Sequence, residues 1–269
     1  MDRIYIPTFR RADNQVTFNN LPEKYKENTI MVVQEQERSQ YKYDVEYLVV
    51  GDNIGIAATR KEIIYHAGDS VFCMYDDDVR FYRRNFKYFG RKESDMEGSK
   101  RLMTEEDFDD MYGLFHTWID NENIIQIGNR NAFLPPSGHL QADLADITGA
   151  FMINGKELIK FRDEIDWTFV KVGEDSMMTL EFLLRGYKNR RSDLFVIDQN
   201  FWGEGGCSEF RDSDFHYKEH LKLMKKYPEY VYVKRNVVRK NIGMIADFKY
   251  KWKDAYNSSQ TATILPFYR

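Results

Sequence analysis

Five apolar residues, Val71-Phe-Cys-Met-Tyr75, run directly into Asp76-Asp-Asp78. A run so short and so rich in β-branched and aromatic residues reads as a buried strand, and it carries three carboxylates to its carboxyl end. The same pattern recurs upstream. Arg3 to Ile6, Thr29 to Val33 and Val45 to Val50 are short apolar runs, each followed by polar or Gly-containing sequence. Between the third and fourth, Ile56 to Ala67 has the length of a helix and closes at Gly68. Strands alternating with helices predict an α/β fold, a mostly parallel sheet flanked by helices, with its ligand at the carboxyl ends of the strands.

Further along, the polar, basic stretch from Arg80 to Lys100 lacks clear periodicity and reads as a long loop. Thr104 has the form of an N-cap, with Asp107 three residues on, and Phe108, Met111, Tyr112, Phe115, Trp118 and Ile119 follow at helical spacing. Ile124 to Ile127 and Ile147 to Ile153 read as strands. Glu174 to Arg185 reads as a helix stopped by Gly186, Leu194 to Ile197 as a last strand, and Ser213 to Tyr227 as an amphipathic helix ending before Pro228. No repeat, low-complexity linker or composition break divides residues 1–269, so a single domain is expected.

Composition narrows the class of protein. No apolar run approaches the roughly 20 residues a membrane-spanning helix needs, and the N-terminal MDRIYIPTFRRAD has neither the apolar stretch nor the cleavage site of a signal peptide. Cys73 and Cys207 stand alone, outside any CxxC or disulfide pattern. A soluble protein of the reducing cytoplasm is expected. The net charge of −4 is unevenly spread. Lys218 to Lys253 holds eleven Lys/Arg against three Asp/Glu, and Arg80 to Arg101 holds eight against three. Each stretch is either a solvated face or a surface for a polyanion.

Three segments carry candidate chemistry. If the strand continued through the acids, alternation would put Asp76 and Asp78 on one side. Two such carboxylates repel unless a cation joins them, and all-oxygen ligands favour Mg²⁺ or Mn²⁺. A solvated acidic turn is the plain alternative. Gly51-Asp-Asn-Ile-Gly-Ile-Ala-Ala-Thr-Arg60 follows a strand and opens a helix, which suits a nucleotide site or an ordinary strand-to-helix turn. Gly173-Glu174-Asp175 opens a helix, where acids serve as caps or present a general base at a site's edge.

Taken in order, these segments resemble the GT-A class of nucleotide-sugar glycosyltransferases, with a GT-A-like (Rossmann-like) sheet. Ile4-Tyr-Ile-Pro-Thr8 with Arg10 resembles the opening strand and nucleotide loop, and Asn53 to Arg60 the nucleotide-contacting turn and helix. Asp76-Asp-Asp78 resembles the Asp-x-Asp metal motif, Thr148-Gly-Ala-Phe151 the acceptor-side segment, and Glu174-Asp175 the base-bearing motif of inverting members. Within that class the chain looks most like the bacteriophage TET-associated glycosyltransferases and related enzymes that attach sugars to hydroxymethylated pyrimidines in phage DNA.

The resemblance implies roles. Pro7, Thr8, Arg10, Asp52, Asn53, Gly55, Arg60, Asp76 and Asp77 would hold a UDP-sugar, with residues 1–100 as the nucleotide-sugar and metal half and 101–269 as the acceptor half. Mn²⁺ or Mg²⁺ would be held by Asp78 and Asp76, with a C-terminal histidine, His216 ahead of His220, as third ligand. Asp175, beside Glu174, would deprotonate the acceptor hydroxyl with inversion; in a retaining enzyme it would only position. The acceptor would be 5-hydroxymethylcytosine in DNA, in the host cytoplasm if the chain is phage-encoded. Lys234, Arg235, Arg239 and Lys240, in a segment interleaved with Phe248, Tyr250 and Trp252, would contact DNA, as would Arg83, Arg84, Lys87, Arg91 and Lys92. A loop at Trp202-Gly-Glu-Gly-Gly206 would be a lid or a simple turn. The rival assignments are a glycan, lipid-linked or protein acceptor, or an inactive nucleotide- or DNA-binding module.

Overall fold

The four apolar runs of the N-terminal third lie side by side as parallel strands. They are β1 (Arg3–Pro7), β2 (Thr29–Gln34), β3 (Glu46–Val50) and β4 (Val71–Tyr75). The computed structural model describes residues 2–89, 98–199, 213–239 and 243–264. Two short helices, α1 (Val16–Asn20) and α2 (Glu23–Lys26), join β1 to β2, and α3 (Gly55–Ala67) joins β3 to β4. Gly68 takes a φ of +66° where α3 stops, a left-handed turn that suits glycine.

The sheet continues through β5 (Val79–Arg84), β6 (Lys100–Leu102), β7 (Gln126–Asn131), β8 (Gln141–Asp143), β9 (Ala150–Asn154) and β10 (Asn189–Gln199). Its order is β3-β2-β1-β4-β9-β7-β10-β5-β6, with β8 also paired to β10. β9 runs antiparallel between β4 and β7, while β7 and β10 are parallel. The sheet is therefore parallel at one end and mixed at the other, an α/β arrangement consistent with a Rossmann-like GT-A fold.

Period-two alternation sorts the strand residues onto two faces. Ile4, Ile6, Met31, Val33, Cys73 and Tyr75 pack with Phe108, Met111 and Phe115 of α4 (Glu105–Glu122). On the other face Tyr5, Ile30, Val32, Phe72 and Met74 pack with Ile63 and Ile64 of α3 and with Met178 and Phe182 of α6 (Glu174–Leu184), which follows the short α5 (Gly155–Leu158). The expected cap of α4 is present in full, with Thr104 and Asp107 exchanging hydrogen bonds. The other side of α6 is covered in turn. Met177, Leu180 and Leu183 meet residues of α7 (Ser213–Lys226), the hairpin β11 (Val231–Arg239) and β12 (Gly243–Tyr250), and α8 (Trp252–Ile264). With a layer on either side, nine residues of α6 are buried, Glu174 among them.

Two sequence expectations change. The basic stretch after β4 is not all loop, because it supplies β5 and β6. Val79 and Phe81 of β5 are buried and Arg80 is exposed, so the alternation exists but is masked by arginines. The expected strand Leu194 to Ile197 is the middle of an eleven-residue strand. Its polar first half stays buried because each group finds a partner: Asn189 bonds the backbone of Ala145, and Arg190 pairs with Asp143 and Glu122. No helix among the described residues is long and apolar enough to cross a membrane.

Candidate active site

Strand order makes the crevice. β2 and β3 lie to one side of β1 and β4 to the other, so the loops leaving β1 and β4 diverge at their carboxyl ends. A cavity of about 850 Å³ opens there, lined by the ends of β1 to β4, the first turns of α3 and α6, the end of β10 and one side of α7.

The acid triplet does not continue the strand. The chain turns after Tyr75, so alternation no longer governs where the carboxylates point. Asp77 is buried and accepts from the Thr8 hydroxyl at 2.7 Å and from the Arg11 guanidinium at 2.5 Å. Arg11 also pairs with Asp78 at 3.1 Å, so Asp77 and Asp78 share one cation. Asp76 is held separately, accepting from Arg60 at 3.0 Å and from the Gln199 amide at 2.8 Å. The other Asp78 oxygen, Oδ1, is buried and accepts no hydrogen bond. Burial, with Asp76 adding to it, pushes the Asp78 carboxyl above the usual range despite Arg11. Gly149 fits this corner at a φ of +74°, where a Cβ would come within 2.4 Å of the Gln199 amide oxygen. Its carbonyl accepts from the Asp76 backbone N–H at 2.7 Å.

Facing the triplet across the same cavity is the start of α6. Gly173 caps it at a φ of +82°, with no side chain to occupy the space before His220. Glu174 is buried and paired with Arg60 at 3.0 Å. One oxygen of Asp175 accepts the Ser176 N–H at 2.7 Å. Burial, reinforced by the Glu174 charge and opposed by Arg60, pushes Asp175 up to about 7. Burial alone would lower the Arg60 pKa, but Glu174, Asp76 and Asp175 outweigh it and hold the guanidinium charged.

Of the residues expected at the nucleotide, Pro7, Thr8, Asn53, Gly55, Arg60, Asp76 and Asp77 line the cavity. Arg10 and Asp52 are not among the lining residues. Arg10 is exposed with a left-handed φ of +55°, its N–H on Glu37, and Asp52 accepts the Gln36 N–H. Arg11 is the arginine of this loop that meets the acids; the choice between adjacent arginines depends on a backbone turn that periodicity does not register. Gln34, Lys171, Ser176 and Gln199, which no sequence pattern marks, also line the cavity.

His216 lines the cavity too, its ring stacked on His220 at 4.1 Å, and His220 packs on Phe248 at 4.8 Å. Among the described residues no group of three or more His, Cys, Asp and Glu converges on one point. The oxygen donors Asp76 and Asp78, with the orphaned Oδ1, still fit a hard cation that fills its shell with water and phosphate.

The first basic stretch differs from expectation. Arg83 pairs with Asp107 at 2.8 Å and Asp110 at 2.7 Å, and Arg101 also pairs with Asp107. Arg84 is 2% exposed and donates to the carbonyls of Leu134 and Ala132. Burial, with Arg130 nearby, pushes it down to about 10. It is thus an internal brace, with no face to offer a nucleic acid. Lys87 is exposed, its ammonium over the Tyr88 ring. Lys234, Arg235 and Arg239 fall on β11, but their side chains lie outside the described set. Arg91, Lys92, Trp202 to Gly206 and Lys240 lie outside the described residues.

A Rossmann-like sheet that gathers carboxylates and arginines around one nucleotide-sized crevice has the frame of a group-transferring enzyme, and comparison with known families makes the class a glycosyltransferase. The chain belongs to the TET-associated glycosyltransferase family, whose model matches residues 3–191. No curated protein matches it. The match covers both acid runs and ends before α7, β11, β12 and α8.

Proposed function

We propose that the protein transfers a sugar from a UDP-sugar to the hydroxymethyl group of 5-hydroxymethylcytosine in DNA, with inversion at the anomeric carbon. A glycosyltransferase implies a nucleotide-sugar donor. The observation that carries the mechanism is the pairing, across one cavity, of a donor-side acid triplet with a carboxylate near neutral pKa at the start of α6.

In this mechanism Pro7, Thr8, Asn53 and Gly55 form the wall against the nucleotide, and Arg11 keeps Asp77 and Asp78 in place. Mn²⁺ or Mg²⁺ held by Asp76 and Asp78, with water and phosphate in place of the His216 ligand that the sequence suggested, would act as a Lewis acid that offsets charge on the leaving diphosphate. Asp175 accepts the proton of the acceptor hydroxyl. The oxygen attacks the anomeric carbon, and the bond from that carbon to the phosphate oxygen breaks, its electron pair leaving with UDP. A carboxylate near 7 is well matched to this proton transfer at neutral pH. Residues 1–100 would supply the donor half and 101–269 the acceptor half, with Gln199 reaching across to Asp76.

DNA as acceptor is supported by the motif resemblance and by the basic segment Lys218 to Lys253, since phosphate contacts supply most of the affinity for nucleic acid. A base within a duplex would have to be extruded to reach the cavity. The test is mass spectrometry of nucleosides from hydroxymethylated DNA incubated with the protein, a divalent metal and a panel of UDP-sugars. A hexose or pentose adduct on hydroxymethylcytosine, absent from unmodified DNA, is expected. Sugar transfer to a glycan, lipid-linked or protein acceptor without any to DNA would overturn the DNA assignment.

A further inference from the structure

Arg60 holds a position that a nucleotide-binding residue alone would not require. It reaches Asp76 through Nη2 at 3.0 Å and Glu174 through Nη1 at 3.0 Å, and it is 5% exposed. Its guanidinium also lies 5.4 Å from the Phe151 ring centroid. One buried cation therefore bridges Asp76, at the end of β4, and Glu174, at the start of α6, two acids far apart in sequence that face each other across the cavity.

We propose that Arg60 is a positioning residue that couples the donor-side acid Asp76 to the base-side pair Glu174 and Asp175. Asp175's part as base rests on the function proposed above. Asp76 and Glu174 compete for a single guanidinium. With Asp76 neutral, Glu174 is the stronger attraction on the guanidinium, so Arg60 is drawn toward the α6 side and its positive field at Asp175 rises. The base then ionises more readily. A cation held by Asp76 would offset its charge in the same way, so that filling the donor side would ready the base.

The groups around Asp175 bear on how this is read out. Glu174 adjoins it on α6, Arg60 approaches from α3, Asp146 from the segment between β8 and β9, and Tyr250 from β12; Lys171 and the stacked His216 and His220 share the cavity wall. Among the described residues Arg60 is the cation that acts most strongly on Asp175, so substituting it has one dominant electrostatic consequence.

The test follows the Asp175 side-chain carboxyl by ¹³C NMR through a pH titration of the full chain, with neither donor nor acceptor present. Arg60→Gln is expected to raise the Asp175 midpoint by about 1 in pH or more, and Asp76→Asn to lower it. In the Arg60→Gln background, Asp76→Asn is expected to move it no further. Arg60→Lys, which keeps the charge, should hold the midpoint below that of Arg60→Gln and guards against a variant that merely fails to fold. An Asp76→Asn effect that persists without Arg60, or an Arg60→Gln midpoint equal to the parent's, overturns the coupling. Because the titration uses no substrate, its failure is distinct from failure of the proposed transfer, which the nucleoside assay reads.

Discussion

Two short acid runs line the same cavity and are held by different partners. Asp76-Asp-Asp78 sits in a turn after a strand, where Arg11, Arg60, Thr8 and Gln199 supply donors to its carboxylates. Glu174-Asp175 sits at the start of a helix buried on two sides, where Arg60 pairs with Glu174 and acts on Asp175 from beyond it. Asp175 keeps one backbone N–H and lies beside another negative charge. Burial raises acids in both runs, Asp77 to about 7 and Asp78 above its usual range on one side and Asp175 to about 7 on the other. The triplet is tied to Arg11 and Arg60, which suits it to a cation and phosphates, whereas Asp175 accepts a backbone N–H beside Glu174, which suits it to taking a proton. What separates them is how many cations each run shares, a property of the assembled site.

The contrast can be broken most severely at Asp175. Asp175→Asn should cut transfer by about 10²- to 10⁴-fold while leaving the thermal shift from UDP and Mn²⁺ intact; unchanged turnover would remove Asp175 as the base. On the triplet side, Arg11→Met leaves two buried carboxylates without their cation and should cost about 3–5 kcal/mol in chemical denaturation. That loss should shrink as pH falls, because a buried Asp77 without Arg11 takes up a proton, and a loss independent of pH would show that the charge is not its cause. Asp78→Ala should abolish the metal-dependent part of the UDP thermal shift, worth about 2.7 kcal/mol at a hundredfold excess over Kd; a full shift in the variant would place the cation elsewhere.

The smallest effect sharpens the comparison further. Asp175 must be ionised to act as base, so kcat/KM should fall about tenfold per pH unit below about 7. Glu174→Gln removes the neighbouring negative charge, making Asp175 easier to ionise, and should move that limb to lower pH by about 1. A limb that stays fixed would assign the titration to another group.

Much of the frame was legible in the chain because it depends on local pattern. Period-two runs marked β1 to β4, and the Thr104–Asp107 cap marked the start of α4. The illegible parts are those where burial overrides composition. β5 looked like loop because its arginines hide the alternation, Arg83 being held by acids on α4 and Arg84 by backbone carbonyls, and the first half of β10 looked polar because Arg190 and Asn189 are paired internally. The basic stretch Arg80 to Arg101 suggested a polyanion surface, yet Arg83, Arg84 and Arg101 are engaged within the fold. Counting charges along a chain cannot reveal that opposite charges meet across space.

At the site the same division holds. The sequence by itself determined that acids would stand at the carboxyl end of a buried strand and at the start of a helix, because backbone periodicity fixes what precedes them. It also identified Arg60 and the glycine-containing turn. Tertiary structure alone decided that Arg11 rather than Arg10 meets the acids, that Gln199 and Gly149 complete the Asp76 corner, and that Arg60 joins both acid runs. The reason is physical. A hydrophobic pattern extends over neighbouring residues, whereas the ionisation and partners of a buried carboxylate depend on groups within a few ångströms, brought there from anywhere in the chain.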